Sequence, residues 1–180
     1  QGLPKVEELF EARKPKDSAT LSTATGTVKI SSNDIYWFVS IVSEDNESIE
    51  HKIPKTAFLA VHSGQEVLKG DKLSNGPINP HDLAKTVGID ITRTYLTDEV
   101  QKVYRSQGVN INKKHIEVIV RQMTKKVVIT ESGGSTLLLN EMLDTKQFQK
   151  ICDELKAEKK DLPKTEPVLL GITRASLNTD

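Results

Sequence analysis

Val6, Leu9 and Phe10 recur at i, i+3 and i+4 behind Pro4, a spacing that predicts a short amphipathic helix. Lys14-Pro15-Lys16-Asp17 ends it. From Ala19 to Pro77 the pattern changes to strands and turns. Residues 20–30 are rich in Thr and Val, with a break at Gly26. Residues 34–42 hold Ile35, Tyr36, Trp37, Phe38, Val39, Ile41 and Val42, the strongest strand signal in the chain. Residues 43–47 form a polar hairpin loop, and residues 50–54 the return strand. Between Val61 and Gly76, short apolar pairs alternate with Gly-Gln, Gly-Asp and Asn-Gly, which predicts tight turns and very short strands. That cadence belongs to a small barrel or barrel-sandwich unit.

From Asn79 onward the period is helical. Asn79-Pro80-His81-Asp82-Leu83 predicts a capped short helix closed near Gly88. Asp90 is the expected cap of a second helix running to about Gln107, with Leu96, Val100, Val103 and Tyr104 as its stripe and Gly108 just beyond its end. Asn112 caps a third, in which Ile116, Ile119, Val120 and Met123 repeat the spacing and Glu117 faces Arg121. Val127-Val128-Ile129-Thr130 is a strand stopped by Gly133-Gly134. Asp144 with Gln147 predicts a capping box opening a fourth helix, whose buried face is Phe148, Ile151, Cys152 and Leu155. Residues 156–160 are a solvated charge run, residues 163–167 are linker-like, and residues 168–180 grade from apolar to polar. The expected fold is α+β: a small barrel-sandwich-like β unit followed by a helical module. Its expected divisions are 1–17, 18–78, 79–160 and 161–180.

The 180 residues carry 25 Lys+Arg against 25 Asp+Glu, a formal net charge of +0. This excludes a nucleic-acid clamp that works by bulk positive charge and leaves room for a local basic patch. A single cysteine, Cys152, excludes an intrachain disulfide and a cysteine-rich zinc site, and suits a reducing compartment. The four histidines (His51, His62, His81 and His115) lack ligand spacing. No apolar run approaches the roughly 18 to 20 residues of a membrane span, and no signal peptide opens the chain. A start at Gln1 without methionine, and a stop just after an apolar stretch, suggest a piece of a larger polypeptide.

Few residues suggest chemistry. Cys152 lies on a helix stripe, where a thiol packs rather than attacks. His81 and Asp82 are adjacent on a helix and point about 100° apart, so they serve capping better than catalysis. Gly133-Gly134 lacks the Lys-Ser/Thr of a phosphate loop. The glycine turns at Gly64, Gly70 and Gly76 are similar to those of lipoyl and biotinyl carrier domains, but Lys69 and Lys72 lack the flanks of a carrier lysine. Lys113, Lys114 and His115 crowd the first turn of the third helix, where the dipole favours anions; such a choice suits a nearby phosphate or acidic partner.

Longer motifs carry a resemblance. Residues 2–16, from Gly2-Leu3-Pro4-Lys5 through Arg13-Lys14-Pro15-Lys16, resemble the segment after the trigger loop in the β′ (largest catalytic) subunit of bacterial RNA polymerase. So does Gly76-Pro77-Ile78-Asn79-Pro80-His81-Asp82-Leu83. Residues 99–123, including Asn110-Ile111-Asn112-Lys113-Lys114-His115-Ile116-Glu117, are similar almost residue for residue. Leu169-Leu170-Gly171-Ile172-Thr173-Arg174-Ala175-Ser176-Leu177 is similar to the start of the first switch segment. The resemblance implies that 1–17 is the helix after the trigger loop, that 18–78 is a jaw-like unit, and that 161–180 is a linker with a switch-like tail. It implies a module of the downstream DNA channel within a nucleotidyltransferase, inactive by itself. The Mg and Zn of the whole enzyme would be held by residues outside this chain. Implied partners are the β and ω subunits, the rest of β′ and downstream duplex DNA, with no membrane, in the cytoplasm (nucleoid-associated) or the plastid stroma. Arg174 stands where the family usually has a basic residue, commonly lysine. The candidate nucleic-acid contacts are Arg174, Lys113, Lys114, Arg13, Lys14 and Lys16, with no catalytic and no metal-ligating residue. A reading of another class is a free-standing barrel-sandwich adaptor that binds protein partners only.

Overall fold

The computed structural model describes residues 2–177, with six helices and seven strands among them. Gln1 and the last three residues of the expected 168–180 tail lie outside the described residues. The chain is α+β and divides into two compact units, one spanning Lys14–Gly88 and the other made of the residues up to Arg13 together with those from Ile89 onward.

The first of these is a curled antiparallel sheet of β1 (Gly26–Ser32), β2 (Tyr36–Val42), β3 (Ser48–Pro54) and β4 (Glu66–Val67), in the order β3-β2-β1-β4. Asn33 makes the first turn: its side-chain oxygen accepts from the N–H groups of Ile35 (2.8 Å) and Tyr36 (2.7 Å). The β1–β2 register runs from Thr27 opposite Val42 to Ser32 opposite Trp37. Gly26 has to be glycine, because a Cβ there would stand 2.2 Å from the Val42 carbonyl oxygen. Alternation puts Val28, Val39, Ile41 and Ile53 on the inner face, where Val67 of β4 and Val61 and Leu73 from the turns close over them. Helix α2 (Pro80–Val87) also belongs to this unit; Pro80 opens it and the Asn79 side chain accepts from the His81 N–H at 3.1 Å. The helix expected to begin the helical module therefore closes the β unit instead.

His51 is the buried polar hub of this sheet, 8% exposed. Its Nε2 receives the Thr23 N–H at 3.1 Å, so the ring proton sits on Nδ1, which donates to the Val39 carbonyl at 3.2 Å. His51→Ala takes the donor from the buried Val39 carbonyl and the acceptor from the part-buried Thr23 N–H, and a loss of about 1–3 kcal/mol is expected from denaturant unfolding of the chain. An unchanged midpoint would contradict that role.

The second unit is built on α1 (Gly2–Phe10), α3 (Ile89–Ser106), α4 (Lys113–Met123) and α6 (Ile172–Leu177). Leu9, Ala12, Leu96, Val100, Ile116, Val120, Met123 and Leu169 form its core; of the predicted stripe positions of the second and third helices, Val103, Tyr104 and Ile119 are only partly buried against it. Asp90 lies inside the first turn of α3 rather than capping it, and its carboxylate accepts from Arg93 Nη1 at 2.9 Å. The helical module also holds a three-stranded antiparallel sheet of β5 (Lys126–Glu131), β6 (Met142–Asp144) and β7 (Lys164–Val168), ordered β6-β5-β7. Strand β7 corrects the linker expected over 163–167: Pro167 sits opposite Val127 on an edge strand, where a missing N–H costs little. Helix α5 (Thr145–Ala157) starts at the predicted capping box. Asp144 accepts from the Lys146 N–H at 3.0 Å and its own N–H donates to Gln147 Oε1 at 3.4 Å. Cys152 is buried on its inner face.

Tyr95 on α3 is half-buried. Burial first, then the carboxylates of Glu99 and Glu8, push its phenol from the ordinary 10.0 up to about 12. Above pH 10 the unfolded chain therefore sheds this proton before the folded one does. Stability is untouched below that pH and falls as pH climbs toward 12. Tyr95→Phe is expected to remove the last of the alkaline tyrosinate absorbance and to flatten the alkaline fall in Tm. Superposable curves would contradict the assignment.

Candidate nucleic-acid interface

The six predicted basic residues fall in different places. Arg13 follows the end of α1 and is exposed, with Nη2 3.1 Å from Glu7 Oε1. Arg174 lies exposed on α6. The two come from segments that meet. Thr173 Oγ1 donates to Glu11 Oε1 at 2.6 Å, and a Cβ on Gly171 would stand 2.4 Å from the Glu11 carbonyl oxygen. Glycine is thus required for the turn into α6 to lie on the end of α1. The Leu170 N–H also donates to the Met123 carbonyl at 2.9 Å, fixing the entry to α6 at the C-terminal end of α4.

Lys113 and Lys114 occupy the other end of that helix. With 11 residues in α4 and about 1.5 Å of rise for each, they stand roughly 15 Å from the point where α6 begins. The structure therefore groups Arg13 with Arg174 and sets Lys113 and Lys114 apart. Lys14 and Lys16, both exposed, belong to the β unit.

The acidic partner anticipated for the first turn of α4 is inside the chain: Lys113 Nζ lies 3.2 Å from Asp98 Oδ1 on α3. Pairs this exposed are worth about 0–1 kcal/mol, so neither Arg13 nor Lys113 is locked away from a competing phosphate. No ion pair involves Lys14, Lys16, Lys114 or Arg174 among the described residues.

Sequence reasoning missed Arg93. Its Nε donates to Thr124 Oγ1 at 2.8 Å and its Nη2 to the Thr124 carbonyl at 3.3 Å, so it caps the C-terminal end of α4 from the neighbouring helix. The contact spans 31 residues and has no local signature. Glu7 and Asp98 were missed as well: Glu7 stands six positions from Arg13, off the i, i+4 spacing, and Asp98 reaches Lys113 from another helix.

A fold of this kind, with a basic end on α6 and matching motifs from residue 2 to residue 177, can be set against known proteins. The family model described as RNA polymerase Rpb1, domain 5, matches residues 5–180. The chain belongs to this family. Within it, the DNA-directed RNA polymerase subunit β′ of Heliobacterium modesticaldum is 49% identical over 182 aligned residues, covering 100% of this chain and 15% of the relative. That of Acetivibrio thermocellus is 48% identical over 180, with 100% and 16% covered. That of Chromobacterium violaceum is 44% identical over 180, with 99% and 13% covered. This Rpb1 domain 5 chain thus spans about one-sixth or less of the length of these curated relatives.

Proposed function

We propose that this chain serves as a structural module of the β′ subunit of DNA-directed RNA polymerase, lining the downstream DNA channel and contributing to the clamp and switch region. The observation that carries the reading is the end-to-end match, at 44–49% identity, to proteins named as that subunit. The free-standing adaptor draws no support from those names. In this reading the module takes part in nucleotidyl transfer without performing it. Two-metal phosphoryl transfer needs clustered carboxylates, whereas Asp45 and Glu47 share the exposed β2–β3 loop and Asp161 belongs to the other unit. The catalytic Mg and the structural Zn of the enzyme are held by residues outside these 180. The partners are the β and ω subunits, the rest of β′ and downstream duplex DNA, in the cytoplasm at the nucleoid or in a plastid stroma. No helix among the described residues is long and apolar enough to cross a membrane.

Arg174 is the leading DNA contact in this reading. It is exposed and carries no carboxylate partner among the described residues, and α6 is anchored at both Glu11 and Met123. The guanidinium keeps its charge at any working pH and can meet a phosphate through two N–H groups. Polymerase assembled with full-length β′ carrying Arg174→Ala is expected to lose promoter complexes faster than wild type as salt rises. Its log lifetime should depend on log salt with a slope smaller by about 0.9, the value of one phosphate contact. Lys114→Ala should change lifetime less. An Arg174→Ala lifetime equal to wild type would take this residue off the DNA-contact list.

A further inference from the structure

The outward face of the β1–β2–β3 sheet has a chemistry that its core does not need. Inward-facing Val28, Val39, Ile41 and Ile53 leave the alternate positions pointing away from the core. The register sets Phe38 between Ser31 and Lys52, with Tyr36 two residues before Phe38 on the same face. Lys29 and Glu50 flank the next outward row, both bonded through β2. Lys29, Ser31, Lys52 and Glu50 are exposed, and Tyr36 and Phe38 are partly exposed, outside the core cluster.

Partly exposed rings at i and i+2 stand about 7 Å apart along a strand. Each offers a flat face to one base of an extended strand, and stacking of this kind tolerates any sequence. The lysines supply the charge: neither Lys29 nor Lys52 is paired with a carboxylate among the described residues. Lys52 Nζ instead rests 3.9 Å above the Tyr36 ring. A cation–π contact at an exposed site is weaker than a stacked base, so a base can displace the ammonium and leave it free for the adjoining phosphate. Glu50 repels phosphate on its side and steers the backbone toward Lys52. A duplex keeps its bases stacked on one another and cannot use the rings. An acidic peptide would use the lysines and leave the rings idle.

We propose that this sheet face binds single-stranded nucleic acid, with bases on Phe38 and Tyr36 and phosphates at Lys52 and Lys29. The proposal goes beyond the channel reading and uses none of its six basic residues, so its failure would leave that reading standing. The test is fluorescence anisotropy of a labelled short oligothymidine titrated with the 180-residue chain, beside a duplex of equal length and an oligoglutamate of equal charge. The single strand is expected to bind tightest. Phe38→Leu and Tyr36→Leu, which keep apolar bulk without a ring, should each weaken it about fivefold or more. Lys29→Gln with Lys52→Gln should reduce the slope of log affinity against log salt by about 1.4, two contacts at about 0.7 each. The proposal is overturned if the single strand does not bind, if duplex or oligoglutamate binds as tightly, or if both leucine variants bind like wild type. Should a leucine variant melt early, the exposed lysine pair decides, and an unchanged salt slope rejects the proposal.

Discussion

The close approach of Gly171 to the Glu11 backbone is the constraint on which the helical unit depends. A methyl group at this position would fall 2.4 Å from a carbonyl oxygen. Nothing larger than hydrogen lets the turn before α6 lie there. Because it does, Leu169 enters the core formed by α1, α3 and α4, Leu170 is buried beside it, and the Leu170 N–H finds the Met123 carbonyl. The first and last helices of the chain are thereby joined, although more than a hundred residues separate them in sequence. Arg174 inherits its position from this joint. The charge proposed to meet DNA sits on a one-and-a-half-turn helix that could not hold its shape alone and is held by its neighbours.

A chain of net charge +0 cannot hold nucleic acid by its overall field, so placement has to do what quantity does in a strongly basic protein. The basic residues are distributed accordingly. Arg13 and Lys113 rest on Glu7 and Asp98 in weak exposed pairs, while Lys14, Lys16, Lys114 and Arg174 are exposed without one among the described residues. The β unit adds a second arrangement, lysines beside aromatic rings on a sheet face, which differs in kind from isolated cations on helices. One suits a phosphate backbone alone; the other suits bases that have left their stack.

Local chemistry was legible in the sequence where partners lie within a few residues. Asn79, Asn112 and Asp144 cap the helices they were expected to cap, because an N-cap needs only the next two or three N–H groups. The β2–β3 hairpin and the stripes through Leu96, Val100, Ile116, Val120 and Met123 follow from period alone. What escaped depends on distant partners. Lys164-Thr165-Glu166-Pro167 has no strand character until β5 pairs with it, and β6 is three residues long. Asp90 resembled a cap because Asp is a good one, but helix α3 begins one residue earlier and Arg93 claims the carboxylate. The six candidate cations could be picked out by type; that Arg13 and Arg174 come from adjoining segments, while Lys113 and Lys114 sit at the far end of α4, is a property of the fold.

The joint at Gly171 can be tested without any partner. Gly171→Ala in the 180-residue chain should force the α6 turn off Glu11. Overpacking of this kind costs about 1–3 kcal/mol. Hydrogen exchange read residue by residue is the most direct measurement. The account requires protection of the Leu170 and Ala175 N–H groups, bonded to Met123 and Gly171, to fall in the variant while that of the β1–β2–β3 sheet stays unchanged. Equal protection of those two groups in variant and wild type would show that α6 does not depend on the close approach, and would contradict the account.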